Sequence, residues 1–172
     1  MKTIASYIIF GTMALTVASC SDGWLDVEPS TAVETDKSIN ELSDVNIMLN
    51  GIYTTMQDAY AYSGRLVYYG DACGDDMMAY SSTKRTGNYY TFNFTKDTAP
   101  STFWSYPYKM IGLCNIILAK IDNLETKETE LRDYYKGQAL ALRAMLLFDL
   151  TKFYGYPYKK DNGASLAVPI VT

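Results

Sequence analysis

The tyrosines are the side chains in this sequence best suited to contact a ligand. The chain has 16 of them, and 10 of the 16 lie between Tyr53 and Tyr108. Residues 80–90 mix rings, hydroxyls and cations without apolar periodicity. This mixture suits sugars, because sugar C–H faces stack on aromatic rings and sugar hydroxyls need hydrogen-bond partners. Tyrosine also commonly packs its ring in a core, so packing is the alternative role for each ring. The candidate ligand contacts are Tyr80, Lys84, Arg85 and Tyr89.

The residue types that usually carry catalysis are sparse. The sequence has no histidine, no Gly-x-Ser-x-Gly, no phosphate loop and no Cys-x-x-Cys, which excludes histidine-dependent catalysis and zinc–histidine sites within these residues. Asp71, Asp75 and Asp76 form a tight acid cluster whose spacing does not match a calcium loop. Adjacent loop acids are usually solvated or cap turns, although a carboxylate pair could serve a glycosidase. We therefore expect no catalytic residue, no metal and no cofactor.

The first 19 residues have the pattern of an export signal. Lys2 supplies a positive charge, and the mostly apolar stretch Ile4–Val17 is too short to span a bilayer. The stretch ends in Val-Ala-Ser-Cys, which is a bacterial lipobox whose Cys20 thiol would receive the lipid. Several acyl chains on one cysteine would anchor the protein stably to a membrane. The alternative is an ordinary cleaved signal peptide with an unrelated cysteine at this position.

The composition of residues 20–172 indicates which class of partner to expect and whether the cysteines pair. Without the signal the charge is 14 − 19 = −5 and no basic run remains, which argues against nucleic-acid binding. Cys73 and Cys114 each sit among apolar neighbours, so we expect buried free thiols. A disulfide is the alternative, since an exported protein could oxidise the pair.

The first part of the chain is predicted to be a tether followed by one helix and a long irregular region. Residues 20–36 lack any helical stripe and read as an extended tether. A helix is predicted from Ser38, where Ser38 and Glu41 fit a capping box, with Gly64 as its stop. Residues 65–100 are predicted as loops, with short strands at 66–69 and 89–94. The apolar face of the helix comprises Leu42, Val45, Leu49, Ile52, Met56 and Tyr60.

Two longer helices follow, and the short polar turn between them predicts an antiparallel hairpin. Their predicted bounds are Phe103–Asn123 and Thr129–Tyr154, with Pro107 in the first turn or at a kink and Gly155 at a left-handed end. The first helix is assigned the stripe Trp104, Tyr108, Ile111, Asn115, Leu118 and Asp122. The second is assigned Leu131, Tyr135, Ala139, Leu142, Met145, Leu146, Leu150 and Phe153. On this assignment Trp104 belongs to the core, and Arg143 makes a structural hydrogen bond.

Several segments, taken in order, resemble the SusD family of Bacteroidetes surface lipoproteins. One departure is Gln138, which stands where the family more commonly has glutamate. The resemblance covers nearly all of the chain after the signal but only about the first third of a usual family member. The segments that carry it are Trp24–Pro29, the set Trp104, Tyr108, Ile111 and Asn115, Gly137–Ala144, Phe148–Leu150, Tyr154–Pro157 and Val168–Thr172.

The resemblance implies a mainly α fold of tetratricopeptide-like helical hairpins, with long irregular loops that carry the ligand contacts. Residues 37–172 would be the N-terminal part of this domain. It also implies a protein without catalysis that binds oligosaccharides at the cell surface, held in the outer membrane by its lipid. The implied partner is a TonB-dependent importer of the SusC type.

Other interpretations remain open from the sequence. The chain stops on an apolar extended stretch, Leu166–Val171, which favours a truncated chain over a short complete protein. The rival functions are a structural lipoprotein that scaffolds an importer without touching nutrient, and a fragment of a glycosidase. The sequence leaves open which glycan or peptide is bound.

Overall fold

The computed structural model describes residues 38–74, 76–81, 87–93, 95 and 101–172. All the regular secondary structure in these residues is helical. Cys20, the tether 20–36, Lys84 and Arg85 lie outside these residues. No strand occurs within them, so the strand prediction for 66–69 is wrong, as it is for the described part of 89–94. The helices are α1 Leu42–Met56, α2 Arg65–Cys73, α3 Gly87–Tyr90, α4 Thr102–Lys120 and α5 Thr129–Tyr154, with 3₁₀ turns at Ile121–Asn123 and Tyr158–Lys160.

The hairpin of α4 and α5 is the longest feature of the fold, and it confirms the prediction. The α5 helix has the predicted bounds, while α4 begins one residue earlier than expected and ends in the 3₁₀ turn. Two polar pairs fix the antiparallel register. Lys136 Nζ donates to Asp122 at 2.6 Å near the turn, and Arg143 Nη1 donates to Asn115 Oδ1 at 3.1 Å further along. The second pair confirms the structural role predicted for Arg143.

The first buried cluster joins α1 to this hairpin, and we call it the hairpin core. Aliphatic side chains recur every three or four residues along all three helices, so each helix contributes one stripe. The buried members are Ile39, Val45, Leu49, Ile52, Met110, Ile111, Cys114, Ile117, Ile121, Ala139, Leu142, Leu146 and Leu150. The predicted faces of α1 and α5 supply seven of these, which confirms both stripes at their centres.

The predicted stripe of α4 is wrong by about one residue, which is about 100° around the helix. Its buried residues are Phe103, Pro107, Met110, Ile111, Cys114 and Ile117. The polar members of the predicted face instead hold the C-terminal segment. Tyr108 donates its hydroxyl to the Pro169 carbonyl at 2.7 Å, and Asn115 Nδ2 donates to the Val171 carbonyl at 2.8 Å. Pro107 is buried as the sixth residue of the helix, beyond its first turn.

Both ends of α1 differ from the prediction. The helix begins at Leu42, where Asp44 accepts hydrogen bonds from the backbone N–H groups of Asn40 and Glu41 at 2.8 and 3.1 Å. The cap therefore lies three residues beyond the predicted Ser38. The helix ends at Met56, because residues 57–64 form consecutive turns instead of continuing to the predicted stop.

Glycine ends α5 for a different reason from the one predicted. The backbone of Gly155 has φ −90°, which is not left-handed. A Cβ there would lie 2.6 Å from the Thr151 carbonyl oxygen and 3.0 Å from the Ala167 Cβ. Gly155 is therefore needed because the returning chain approaches the helix end closely.

The helix α2 was not predicted, because Gly70 and the neighbouring tyrosines resemble loop and strand composition. Leu66, Tyr69 and Ala72 are nevertheless spaced by three residues, and this spacing places them on one helical face. Leu66 and Ala72 are buried, and Tyr69 packs beside them.

Within the described residues no helix is long and apolar enough to cross a membrane.

Candidate functional site

The four predicted ligand contacts do not share one environment. Tyr80 is 100% exposed, whereas Tyr89 is only 4% exposed. Lys84 and Arg85 fall outside the described residues. The structure thus separates the two described tyrosines into a surface ring and a core ring.

Tyr89 belongs to a second cluster, which we call the aromatic cluster and define by the buried Tyr89 and Phe103 and the partly buried Tyr69 and Phe153. The Tyr69 ring lies at its centre, with centroid distances of 5.3 Å to Tyr89, 4.9 Å to Phe103 and 5.5 Å to Phe153. All three contacts are edge-on, which brings the positive edge of one ring to the negative face of another. The cluster therefore joins α2, α3, α4 and α5 at one place.

For Tyr89 the structure supports the alternative, packing role rather than the predicted ligand contact. Residues 87–90 form the short helix α3, which buries Tyr89 against Phe103. Burial raises the pKa of the Tyr89 phenol, with the charge of Arg65 acting in the opposite direction. A ring that is 4% exposed has no face to offer a sugar, so Tyr89 is a core residue in this structure.

Burying Tyr89 leaves two aromatic neighbours at the surface: Tyr90, which lies within the candidate segment 80–90 but was not singled out, and Phe92, which sequence reasoning missed. Tyr90 is 41% exposed and Phe92 is 65% exposed. Phe92 has φ 52°, which is rare for a bulky residue, and its N–H donates to the Tyr89 carbonyl at 3.2 Å. Such strained turns persist when their surroundings hold them, and they are concentrated at binding sites. The available signal was the Tyr89–Tyr90 pair, because adjacent residues of a helix cannot both face the core.

Trp104 is also placed differently from the prediction. Its ring is 40% exposed, and its centroid lies 4.9 Å from that of Tyr108 and 5.0 Å from that of Tyr154, with the Trp104 and Tyr154 rings nearly perpendicular. The shift of the α4 stripe accounts for this, since Phe103 occupies the core position that the sequence assigned to Trp104. The indole and the 41% exposed Tyr154 form a second aromatic patch.

The described residues offer no metal centre. Within the described residues no group of three His, Cys, Asp or Glu side chains could hold a metal ion. Cys73 and Cys114 are free thiols, as expected, and Cys114 is fully buried while Cys73 is half-buried. Burial raises the pKa of Cys114 to about 11, with Arg143 opposing the shift, so this thiol stays protonated at neutral pH.

Comparison with known proteins identifies the family. A SusD-like family model, described as starch-binding associating with outer membrane, matches residues 23–172. The chain belongs to the SusD-like family. The helical, tetratricopeptide-like fold inferred from the resemblance is thereby confirmed.

Individual relatives agree with this assignment. A crystal structure of a Bacteroides vulgatus protein, provisionally named as sugar-binding, is 65% identical with a TM-score of 0.74 and covers 78% of this chain and 31% of its own. A SusD superfamily protein from Bacteroides thetaiotaomicron is 31% identical with a TM-score of 0.66, over 77% of this chain and 30% of its own. SusD-like protein P38 of Formosa agariphila is 24% identical over 145 residues, 83% of this chain and 28% of its own. The chain thus spans about a third of the length of these relatives.

Proposed function

We propose that this protein captures oligosaccharides at the bacterial surface and passes them to a TonB-dependent importer of the SusC type. The observation that carries the proposal is the family match over residues 23–172, whose description joins starch binding to the outer membrane. The 65% identical relative, provisionally named as sugar-binding, supports the same ligand class. Binding without catalysis fits the sparse catalytic chemistry of the sequence.

The proposed sugar contacts are the exposed rings that flank the buried Tyr89. Tyr80, Tyr90 and Phe92 expose 100%, 41% and 65% of their surface. Exposed rings can stack on the C–H faces of a sugar, and the two tyrosine hydroxyls can exchange hydrogen bonds with its hydroxyls. Lys84 and Arg85 remain proposed contacts, since both can donate to sugar oxygens.

Affinity electrophoresis of the full-length protein through gels containing soluble starch or other polysaccharides tests this function. We expect retardation without hydrolysis of the polysaccharide. Hydrolysis would instead support the glycosidase alternative. Unretarded migration in every gel would support the scaffold alternative and contradict glycan capture.

Anchoring at the outer membrane is proposed to depend on lipid attached to Cys20. The variant Cys20→Ala should incorporate no labelled fatty acid and should be released from membranes on cell fractionation. A variant that stays membrane-bound without label would show that another contact holds the protein, most simply the importer. Co-purification of the wild-type protein with an outer-membrane barrel would support the proposed partner.

A further inference from the structure

An open groove of about 490 Å³ lies where α5 ends and the chain turns back along it. This volume falls in the range of about 300–1,000 Å³ that is typical of small-molecule sites. The groove shares no lining residue with the surface around Tyr80, Tyr90 and Phe92. Its lining includes Phe148, Thr151, Lys152, Tyr156, Tyr158 and Ser165.

Three aromatic rings with large exposed surfaces line this groove. Phe148, Tyr156 and Tyr158 are 64%, 61% and 72% exposed. Rings that stay this exposed contribute little to the core, since burial is the main source of aromatic stabilisation. The two tyrosine hydroxyls place polar groups beside the rings, as a sugar requires. The hydroxyls of Thr151 and Ser165 also line the groove, but they donate to the Leu147 carbonyl and to Asp161, so toward a sugar they can act only as acceptors.

The loop that carries Tyr158 is held in shape from within. Asp161 accepts hydrogen bonds from the Ser165 hydroxyl and from the backbone N–H groups of Gly163 and Ala164, the latter two at 3.1 and 3.0 Å. Gly163 has φ +80°, and a Cβ there would lie 2.9 Å from the Tyr158 ring. The Tyr158 ring therefore packs directly on the backbone of Gly163. Because this packing restricts the loop before a ligand binds, less conformational entropy is lost on binding.

Cations border the rings, but they already have partners. Lys160 Nζ lies 3.0 Å from the centroid of the Tyr156 ring. Lys152 Nζ lies 5.4 Å from the Phe148 centroid and donates to Asp149 Oδ1 at 3.1 Å. Because these ammonium groups are engaged with a ring or a carboxylate, they do not form a dedicated site for an acidic sugar. The lining favours an uncharged ligand that uses ring faces and hydroxyls.

We propose that this groove is a second sugar-binding surface, which takes a neutral oligosaccharide by stacking on Tyr158 and on the face of Tyr156 that Lys160 does not cover. The inference rests on the proposed glycan-binding function and adds a site away from residues 80–92. Two separated aromatic surfaces on one chain would engage a long glycan at two points, and the second contact would raise the overall affinity through effective concentration.

The test compares the double variant Tyr156→Ala/Tyr158→Ala with Tyr134→Ala in the full-length protein, using affinity electrophoresis in soluble starch and thermal melts. Tyr134 is a matched control, because it is 64% exposed on α5 but does not line the groove. We expect the double variant to bind starch about tenfold more weakly with an unchanged Tm, and the control to match the wild type. The variant Tyr156→Phe/Tyr158→Phe should keep most of the affinity, since its rings remain.

Two results would overturn the groove site. One is unchanged starch affinity in the double variant. The other is a lower Tm with unchanged affinity, which would mean that another part of the protein packs on these rings. In both cases a wild type that binds starch leaves the proposed function standing. A wild type that binds none of the polysaccharides would remove both the function and the groove.

Discussion

The hairpin core and the aromatic cluster are built from different side chains and are buried to different degrees. The hairpin core is mostly leucine, isoleucine, valine and methionine, and most of its members are 0–1% exposed. The aromatic cluster uses tyrosine and phenylalanine, and its chain neighbours Tyr90 and Trp104 are 41% and 40% exposed. The aliphatic side chains of the first region fill its interior, whereas the rings in and beside the second lie both inside and at the surface. The first region is therefore a closed core, whereas the second lies next to an exposed ring, Tyr90, that we propose as a sugar contact.

Tyr62 links the two regions. It packs against both clusters and donates its hydroxyl to Asp149 Oδ2 at 2.7 Å. Burial, together with this hydrogen bond, raises the pKa of Tyr62 well above its usual range, so the phenol remains a donor at any physiological pH. The position of the aromatic cluster is thereby tied to α5, which the hairpin core holds in place.

The largest expected effect is in the hairpin core. Leu146 is 0% exposed, so Leu146→Ala removes buried methyl groups and leaves a cavity. This variant should lower the free energy of unfolding by ~2–5 kcal/mol. Thermal and denaturant unfolding would measure the change, and starch affinity at a permissive temperature should be retained. Leu140→Ala is the matched control on the same helix, because Leu140 is 43% exposed and its truncation should cost less. Equal losses for the two variants would contradict the assignment of the α5 face.

A smaller loss is expected in the aromatic cluster. Tyr89→Ala should lower the free energy of unfolding by ~2–4 kcal/mol, because it empties a position packed against Tyr69 and Phe103. Tyr89→Phe keeps the ring and should remain close to the wild type. Denaturant unfolding of both variants checks the prediction. An unchanged midpoint for Tyr89→Ala would return Tyr89 to the surface role that the sequence suggested.

The sequence predicted the hairpin well because its signals were redundant. The bounds of α5 follow from acids at its start, a long leucine stripe, and Gly155 with Pro157 at its end. The stripe of α4 was harder to assign, because apolar residues surround much of that helix. Ile111 was the one buried residue of α4 in the predicted stripe, and the remaining buried positions lay one step away.

The candidate site was predictable only in outline. Tyrosine can bury its ring in the core or expose its hydroxyl to water. Composition therefore indicated residues 80–90 as a candidate site but could not distinguish the exposed Tyr80 from the buried Tyr89. The separation depends on α2 and α3, whose helical spacing was obscured by Gly70 and by the tyrosines themselves. The groove at Tyr156 and Tyr158 depends on the loop closed by Asp161, a tertiary feature that no helical period reveals.

The pH dependence of the free energy of unfolding tests whether Cys114 is buried in the hairpin core. Burial raises the pKa of this thiol to about 11 in the folded state, whereas an unfolded cysteine titrates near ~8.5. The unfolded state therefore loses its proton first, and stability should fall as pH rises between these values, by roughly 2–3 kcal/mol at the upper end. The difference between wild type and Cys114→Ala, followed by denaturant unfolding from pH 7 to 11, isolates this group. A constant difference across that range would mean that the thiol is not buried as described.

The smallest expected effect on stability is at Tyr80, where the substitution should change binding instead. Its side chain is fully exposed, so Tyr80→Ala removes no core packing and should leave Tm within about 1–2 °C of the wild type. If the ring stacks on sugar, the same change should weaken starch binding by ~1 kcal/mol, or roughly fivefold. Ser81→Ala, at the neighbouring position, is a control for the loop itself. A drop in Tm with unchanged affinity would place Tyr80 in a packing role like that of Tyr89. Loss of affinity at constant Tm would instead separate the two tyrosines as the structure does, with Tyr89 in the core and Tyr80 contacting the glycan.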